Sequence, residues 1–370
     1  MKKILEEKAL AISIFTAILY MLFGNSWLSN LENTPVILGQ FIIVFGIMLV
    51  SSFGVVKHAD MLAIKLGEPY GTLILTLAVI SIEVVAIVAV MLTGKYNPTL
   101  GRDMMFSVIM IVLNGLIGIS LLVGGIKHIQ QQYNLQGTNT YLSMIAILVI
   151  VSMVLPNYTQ ATEAGTFSHS QTIFIIIITL GLYLLFLFMQ SLRHRDFFMA
   201  PTSSNDKVLH DASNFVSIGY HSVLLVLYML PIVILSKKLA IMINHGITSA
   251  DLPVALGGLL VAILVLAPEG VASVKAALAN QIQRSINICL GSALATISLT
   301  VPAILIIGLI TSKTIVLGLN GVDIVMLLTT LFVSVINLSS GKSNVIQGSI
   351  HFILFALYLL LLFDKCTTGC

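Results

Sequence analysis

The sequence predicts an all-α polytopic membrane protein of about eleven transmembrane helices: one leading helix, then two inverted five-helix repeats. Three observations carry that prediction. Apolar residues fill 58% of the 370 positions, while Asp, Glu, Lys and Arg together reach 9%, against roughly 25% charged residues in soluble domains. The apolar residues form continuous runs near the length of about 20 that spans a bilayer as a helix, without the alternation of barrel strands. These runs fall into two sets of five around a polar central segment.

Residues 1–30 are an N-terminal tail and leading helix, with Lys2, Lys3 and Lys8 ahead of an apolar run at 9–24. The run has the length of a secretory leader, but no small-residue cleavage site follows, so it reads as a retained helix. The first repeat occupies 35–192, with spans at 35–56, 71–93, 104–125, 140–156 and 171–190. A cytoplasmic linker at 193–214 carries Pro201, Ser203, Ser204, Asn205 and mixed charges. The second repeat occupies 215–363, with spans at 215–235, 252–274, 286–311, 322–338 and 344–363, and a short tail follows at 364–370. Because five is odd, the two sets enter the membrane from opposite sides, the plan of an inverted repeat in secondary transporters. With the N-terminus inside, twelve of the eighteen Lys and Arg lie in inside loops, and the outside loops hold Lys95, Arg102, Lys237, Lys238, Lys313 and Lys365. That bias predicts a cytoplasmic N-terminus and a periplasmic C-terminus in a bacterial inner membrane.

Two acidic residues sit where a bilayer makes charge expensive. Glu83 lies about twelve residues from either end of the span at 71–93, which at a rise of about 1.5 Å per residue is the midplane. Glu269 lies in the run Ala267-Pro-Glu-Gly270 of the span at 252–274. Each occupies the second span of its half. An acid at membrane depth persists where it faces a polar cavity; the plainer reading, a protonated carboxyl serving as packing glue, is weakened by the matched pair. Pro268 and Gly270 predict a break or kink beside Glu269. The following span of each half opens with an Arg, at Arg102 and Arg284, and places a polar residue twelve positions on, Asn114 and Thr296. These two are candidates to bring side-chain oxygens towards the carboxylates, with ordinary helix packing as the other reading.

Two ionised carboxylates supply hard oxygen ligands for Ca²⁺, completed by carbonyls and water. Protonated, they lose that affinity, so cation and proton compete for the same groups, and this competition predicts antiport. No cofactor is implied; the transported ions are Ca²⁺, Na⁺ or K⁺, and H⁺. The only phosphate-loop lookalike, Gly341-Lys342-Ser343, has Ile336 where the first Gly is required, which argues against an ATP-driven pump. No nucleophile–base set points to an enzyme. The expected partners are the lipid bilayer, small cations and protons, and the net charge of +3 gives no reason to expect nucleic acid. Cys289 reads as an inert buried thiol; Cys366 and Cys370 are too few to define a metal site or disulfide framework. His221 and His351 fall just inside spans, where interfacial packing is the expected role. A passive cation channel remains the alternative, although no filter-like loop is evident.

Several blocks resemble a known group of proteins. They are Ser52-Phe-Gly-Val-Val-Lys-His-Ala-Asp60, Lys65-Leu-Gly-Glu-Pro-Tyr-Gly71, Ile82-Glu83-Val84, Ala267-Pro-Glu-Gly270, Asn280-Gln-Ile-Gln-Arg-Ser-Ile-Asn287, Leu294-Ala-Thr-Ile-Ser-Leu-Thr-Val-Pro302 and Ser340-Gly-Lys-Ser-Asn344. Together they resemble the bacterial cation/proton antiporters of the calcium/cation antiporter superfamily, close to the calcium/proton exchangers, from about residue 40 to 363. The resemblance implies a leading helix plus two inverted five-helix repeats, with Glu83 and Glu269 at the signature carboxylates. It also implies export of Ca²⁺, with Na⁺ or K⁺ as the other candidates, in exchange for protons. Three features depart from the typical calcium/proton exchanger: Ile80-Ser-Ile-Glu83 lacks the Gly-Asn-x-x-Glu pattern, Ala295 stands where Gln is common, and the central loop has no acidic stretch.

Overall fold

The computed structural model describes residues 7–28, 34–66, 80–81, 84, 87, 91, 97–201 and 217–364. Ten helices are labelled among these residues: α1 (Lys8–Leu22), α2 (Thr34–Leu66), α3 (Leu100–His128), α4 (Leu135–Tyr158), α5 (His169–Arg193), α6 (Ile218–Ser249), α7 (Ala255–Leu278), α8 (Ile282–Thr311), α9 (Gly321–Asn337) and α10 (Val345–Leu362). Eight are long and apolar enough to cross a membrane; α1 and α9 are the shorter apolar helices. The expected span at 71–93, with Glu83, lies largely outside the described residues. The chain is an all-α polytopic membrane protein.

Several helices start at a side-chain cap. Asn134 caps α4 by accepting from the backbone N–H groups of Gln136 and Gly137. Ser168 with Gln171, and Asn344 with Gln347, form reciprocal capping boxes at α5 and α10. The helices overrun the apolar runs because a helix continues past the apolar layer until a stop signal arrives. Thus α7 runs to Leu278 and is stopped near Asn280, which adopts φ +61°.

Two sequence expectations are corrected here. Of the break or kink expected at Pro268, the break is absent: α7 is continuous from Ala255 to Leu278 with the proline inside it. Proline removes one donor, and the packed helices around α7 hold it helical on both sides of that loss. Lys237 and Lys238 do not sit in an outside loop, because α6 continues through them to Ser249.

The chain divides into two compact units. The first joins residues 1–96 with 203–252, so α1 and α2 pack with α6 from the other half of the sequence. Here Gly54 gives the Tyr228 ring its room, since a Cβ at that position would lie 2.4 Å from ring carbons. Beside it Glu7 is buried: its carboxylate accepts from Lys57 Nζ at 2.8 Å and from the Tyr228 hydroxyl at 2.6 Å. His58 Nε2 approaches the same carboxylate at 3.5 Å, while His58 Nδ1 meets His221 Nδ1 at 3.0 Å. His221 is therefore buried between helices rather than packed at an interface with lipid headgroups.

The second unit joins residues 97–202 with 253–370. Its centre is α3, α7 and α8; 78% of the most apolar stretch of α3 is buried, against 17% for α10. The outer helices turn apolar faces outwards: Ile346, Ile353 and Leu360, each seven residues apart on α10, are 64–71% exposed. A continuous apolar stripe of this kind is lipid-facing surface. One short antiparallel pair, β1 (Gln131–Gln132) with β2 (Lys342–Ser343), ties the loop after α3 to the loop before α10. Gly341-Lys342-Ser343 is therefore part of a loop clamp.

Candidate functional site

Glu269 sits on α7 between buried Pro268 and Gly270, and is itself partly accessible. The Ser292 hydroxyl of α8 donates to its Oε2. Thr296, one turn further along α8 and 2% exposed, shares the face that carries Ser292. The carboxylate and the Ser292 hydroxyl that donates to it are thus two oxygens held together by adjoining helices.

The third helix at this place is α3. Gly270 permits the approach, since a Cβ there would lie 2.8 Å from Leu116 Cδ2. One turn beyond Glu269, Ser273 Oγ lies 3.3 Å from Ser120 Oγ of α3 and donates to the Gly270 carbonyl at 3.0 Å. Residues Ile111–Leu116 of α3 form a π-helical segment that contains Asn114. Such segments insert an extra residue into the turn, loosen the backbone ladder and concentrate at functional sites.

Asn114 is fully buried. Its Nδ2 donates to Thr330 Oγ1 of α9 at 2.8 Å and lies 3.6 Å from Met110 Sδ. Its Oδ1 lies 3.3 Å from His351 Nδ1 of α10. The described bonds of the carboxamide thus run to α9, α10 and its own helix. His351 is 0% exposed, so the interfacial role expected for it is replaced by a buried one. The reason is the close approach of α3 and α10, which rests on glycine: a Cβ on Gly348 would lie 2.4 Å from Leu122 N, and one on Gly118 would lie 2.8 Å from Phe352 N.

Of the four residues singled out in the sequence, Glu269 and Thr296 lie on adjoining helices, and Ser292, one turn before Thr296, bonds the carboxylate. Asn114 stands on the third helix of the same unit, and Glu83 lies outside the described residues. Sequence reasoning missed Ser292, Ser273 and Thr330, and it gave His351 a different role. Ser292 was findable from its i, i+4 spacing to Thr296; Thr330 gave no signal and the bond of His351 could not be read, because their roles depend on which helices pack together. Among the described residues no group of three or more His, Cys, Asp or Glu could hold a metal, and Glu83 is not among them.

Outside the spans, burial acts on Glu7 to raise its carboxyl, but the bonds from Lys57 and Tyr228 outweigh it and hold the group below its ordinary value. Burial also raises the Tyr133 hydroxyl in the loop after α3.

Comparison with known proteins supplies the family. The model of the sodium/calcium exchanger protein family matches residues 36–192 and 220–363. The chain is 37% identical over 361 residues to the sodium-potassium/proton antiporter ChaA of Escherichia coli (strain K12), covering 97% of this chain and 96% of that protein. Among solved structures it superposes on native YfkE with a TM-score of 0.73 at 16% identity, covering 99% of this chain and all of that one. It superposes on the H⁺/Ca²⁺ exchanger CAX with a TM-score of 0.69 at 14% identity, covering 97% of this chain and 89% of that one. With both halves of the sequence matched and the fold shared end to end, the chain belongs to the sodium/calcium exchanger protein family and is a membrane antiporter, not an enzyme.

Proposed function

We propose that this protein exchanges a small cation for protons across the bacterial inner membrane by alternating access, with Glu83 and Glu269 as ligands shared by cation and proton. The observation that carries the reading is Glu269 itself, an acid in the interior of an apolar helix, facing the Ser292 hydroxyl in a unit built from both halves of the chain. An acid in that setting binds whichever positive species compensates it, a proton or a metal cation. Glu83 supplies the matching carboxylate from the first half, and Asn114 and Thr296 supply neighbouring oxygens.

The cargo is Ca²⁺ together with Na⁺ or K⁺. Paired carboxylates favour hard divalent ions, and the fold is shared with a H⁺/Ca²⁺ exchanger. The 37% identical relative is a sodium-potassium/proton antiporter, which supports monovalent transport by the same groups. The N-terminus is cytoplasmic on the bias of Lys and Arg.

Everted membrane vesicles carrying a pH-sensitive dye test the proposal. Addition of Ca²⁺, Na⁺ or K⁺ should dissipate an imposed proton gradient, and Glu83→Gln and Glu269→Gln should each abolish the response. Retention of the full response in both variants sinks the mechanism, and cation flux indifferent to the pH gradient identifies a channel instead.

A further inference from the structure

We infer that His351 is a positioning residue of the exchange site, acting through Asn114; this rests on the reading above that Asn114 serves that site. A histidine ring sealed from solvent on a lipid-facing helix must find a polar partner or cost stability. His351 finds it in Asn114 Oδ1 at 3.3 Å, with the backbone carbonyl of neighbouring Leu113 as a second acceptor. An amide oxygen can only accept, so His351 Nδ1 carries the proton and the ring is the neutral Nδ1–H tautomer. Its Nε2 is buried with no hydrogen-bond partner, as that tautomer's bare nitrogen can be in an apolar setting.

The consequence falls on the carboxamide. Thr330 takes an Nδ2 hydrogen at 2.8 Å from one side and His351 takes one Oδ1 lone pair from the other. The amide plane is thereby fixed by two helices, α9 and α10, although Asn114 itself stands in the π-helical turn of α3, where backbone bonds hold it least. A carbonyl oxygen has two lone pairs. With one committed to His351, the direction of the other is set, and that second lone pair is the part of Asn114 available to a cation. Without the His351 donor the oxygen side of the carboxamide loses its restraint; only the Thr330 bond then acts on its last torsion, a broad and soft one, and the oxygen can swing away from its set direction.

The experiment uses full-length protein in liposomes, with half-saturating cation concentration and maximal rate measured separately across pH. His351→Leu removes the donor and should raise the half-saturating concentration about tenfold, the worth of one oriented hydrogen bond, with a smaller change in maximal rate. His351→Asn places an amide N–H near the former Nδ1 position and should return the concentration to within about twofold of the parent, with an unshifted pH profile. In an Asn114→Ala background, His351→Leu should add nothing further.

Unchanged affinity in His351→Leu overturns the inference. So does equal impairment of the Asn and Leu variants, which reports packing alone. A displaced pH profile in His351→Asn overturns it as well, because the ring would then itself carry the exchanged proton. Should the Leu variant fail to elute as a monodisperse species, His351→Gln, whose amide is displaced by one methylene, takes its place. Glu269→Gln run alongside separates the two levels: if it exchanges normally the exchange-site reading falls, whereas a dead Glu269→Gln beside an unaffected His351 series removes the positioning role alone.

Discussion

Replacing Gly348 by Ala adds one methyl group at the tightest contact between α10 and α3. The new carbon would lie 2.4 Å from Leu122 N and 2.8 Å from the Gly118 carbonyl oxygen, where ordinary contact begins at 3.4 Å. Both obstructing atoms are backbone in the middle of a helix, so neither moves without its helix. Relief therefore requires α3 and α10 to separate by about 1 Å, because packed interiors hold no spare volume to absorb the difference. Overpacking of this kind costs about 1–3 kcal/mol. The separation also stretches the His351–Asn114 bond beyond hydrogen-bonding range, since it stands at 3.3 Å already. That leaves buried polar atoms unsatisfied, at roughly a further 1–3 kcal/mol.

The control is Gly181→Ala on α5, where nothing lies within 4 Å of the added carbon. There the greater helix propensity of alanine, about 1 kcal/mol, acts alone, and stability should hold or rise slightly. Detergent-purified protein heated in steps and assayed by the monodisperse fraction on size exclusion gives the comparison. Gly348→Ala should lose several degrees, with a weaker apparent cation affinity, and Gly181→Ala should lose none. Coincident melting of the two variants would refute the backbone-clash argument.

Two further outcomes follow from the same structure. Glu7→Gln should destabilise the protein near neutral pH and much less in acid. A carboxyl held below its ordinary value stabilises above that value, about 4.3 for Glu, and loses the contribution as pH falls through the folded-state value. The melting-temperature gap between parent and variant, measured from pH 7 to pH 3, should therefore close towards the acid end, and a gap constant with pH contradicts the sign. Ser292→Ala removes the hydroxyl that donates to Glu269. Loss of a hydrogen bond to an ionised group, at the lower end about 1.5 kcal/mol, should raise the half-saturating cation concentration roughly tenfold at neutral pH. Unaltered affinity would separate Ser292 from the site.

What the sequence made legible was whatever membrane solvation dictates one segment at a time. Apolar length located the helices seen among the described residues, because backbone groups in lipid must be satisfied within the segment. Glu269 stood out for the same reason, as an acid in the wrong solvent. What depends on pairs of helices was not legible. Pro268 was expected to break or kink α7 because its local rule is a lost donor, yet helices packed around it keep the element continuous. His351 lies seven residues inside its run and looked interfacial; its burial is decided by Gly118 and Gly348, which bring a helix from the other half against it. Lys237 and Lys238 looked like loop residues because the apolar run ends before them, whereas α6 does not.

The two halves of the sequence do not fold as two bodies. Residues 97–202 and 253–370 form one unit, so α3 from the first half is enclosed by α7, α8, α9 and α10 from the second. Every described side-chain bond of Asn114 beyond its own helix goes to the second half, to Thr330 and His351. Glu269 of the second half has Leu116 and Ser120 of the first beside its next turn. The spans that open each half, α2 and α6, are together in the other unit with the leading helix. A repeat that is read as inverted in the sequence is thus spent on interdigitation. Asn114 of the first half is bonded by side chains of the second, and Ser273 of the second meets Ser120 of the first, so a ligand lost on one side should be felt as a geometric fault on the other. By that exchange of support His351 acts through Asn114, on a different half of the chain, and a double-variant cycle across the halves tests the arrangement more sharply than any single substitution.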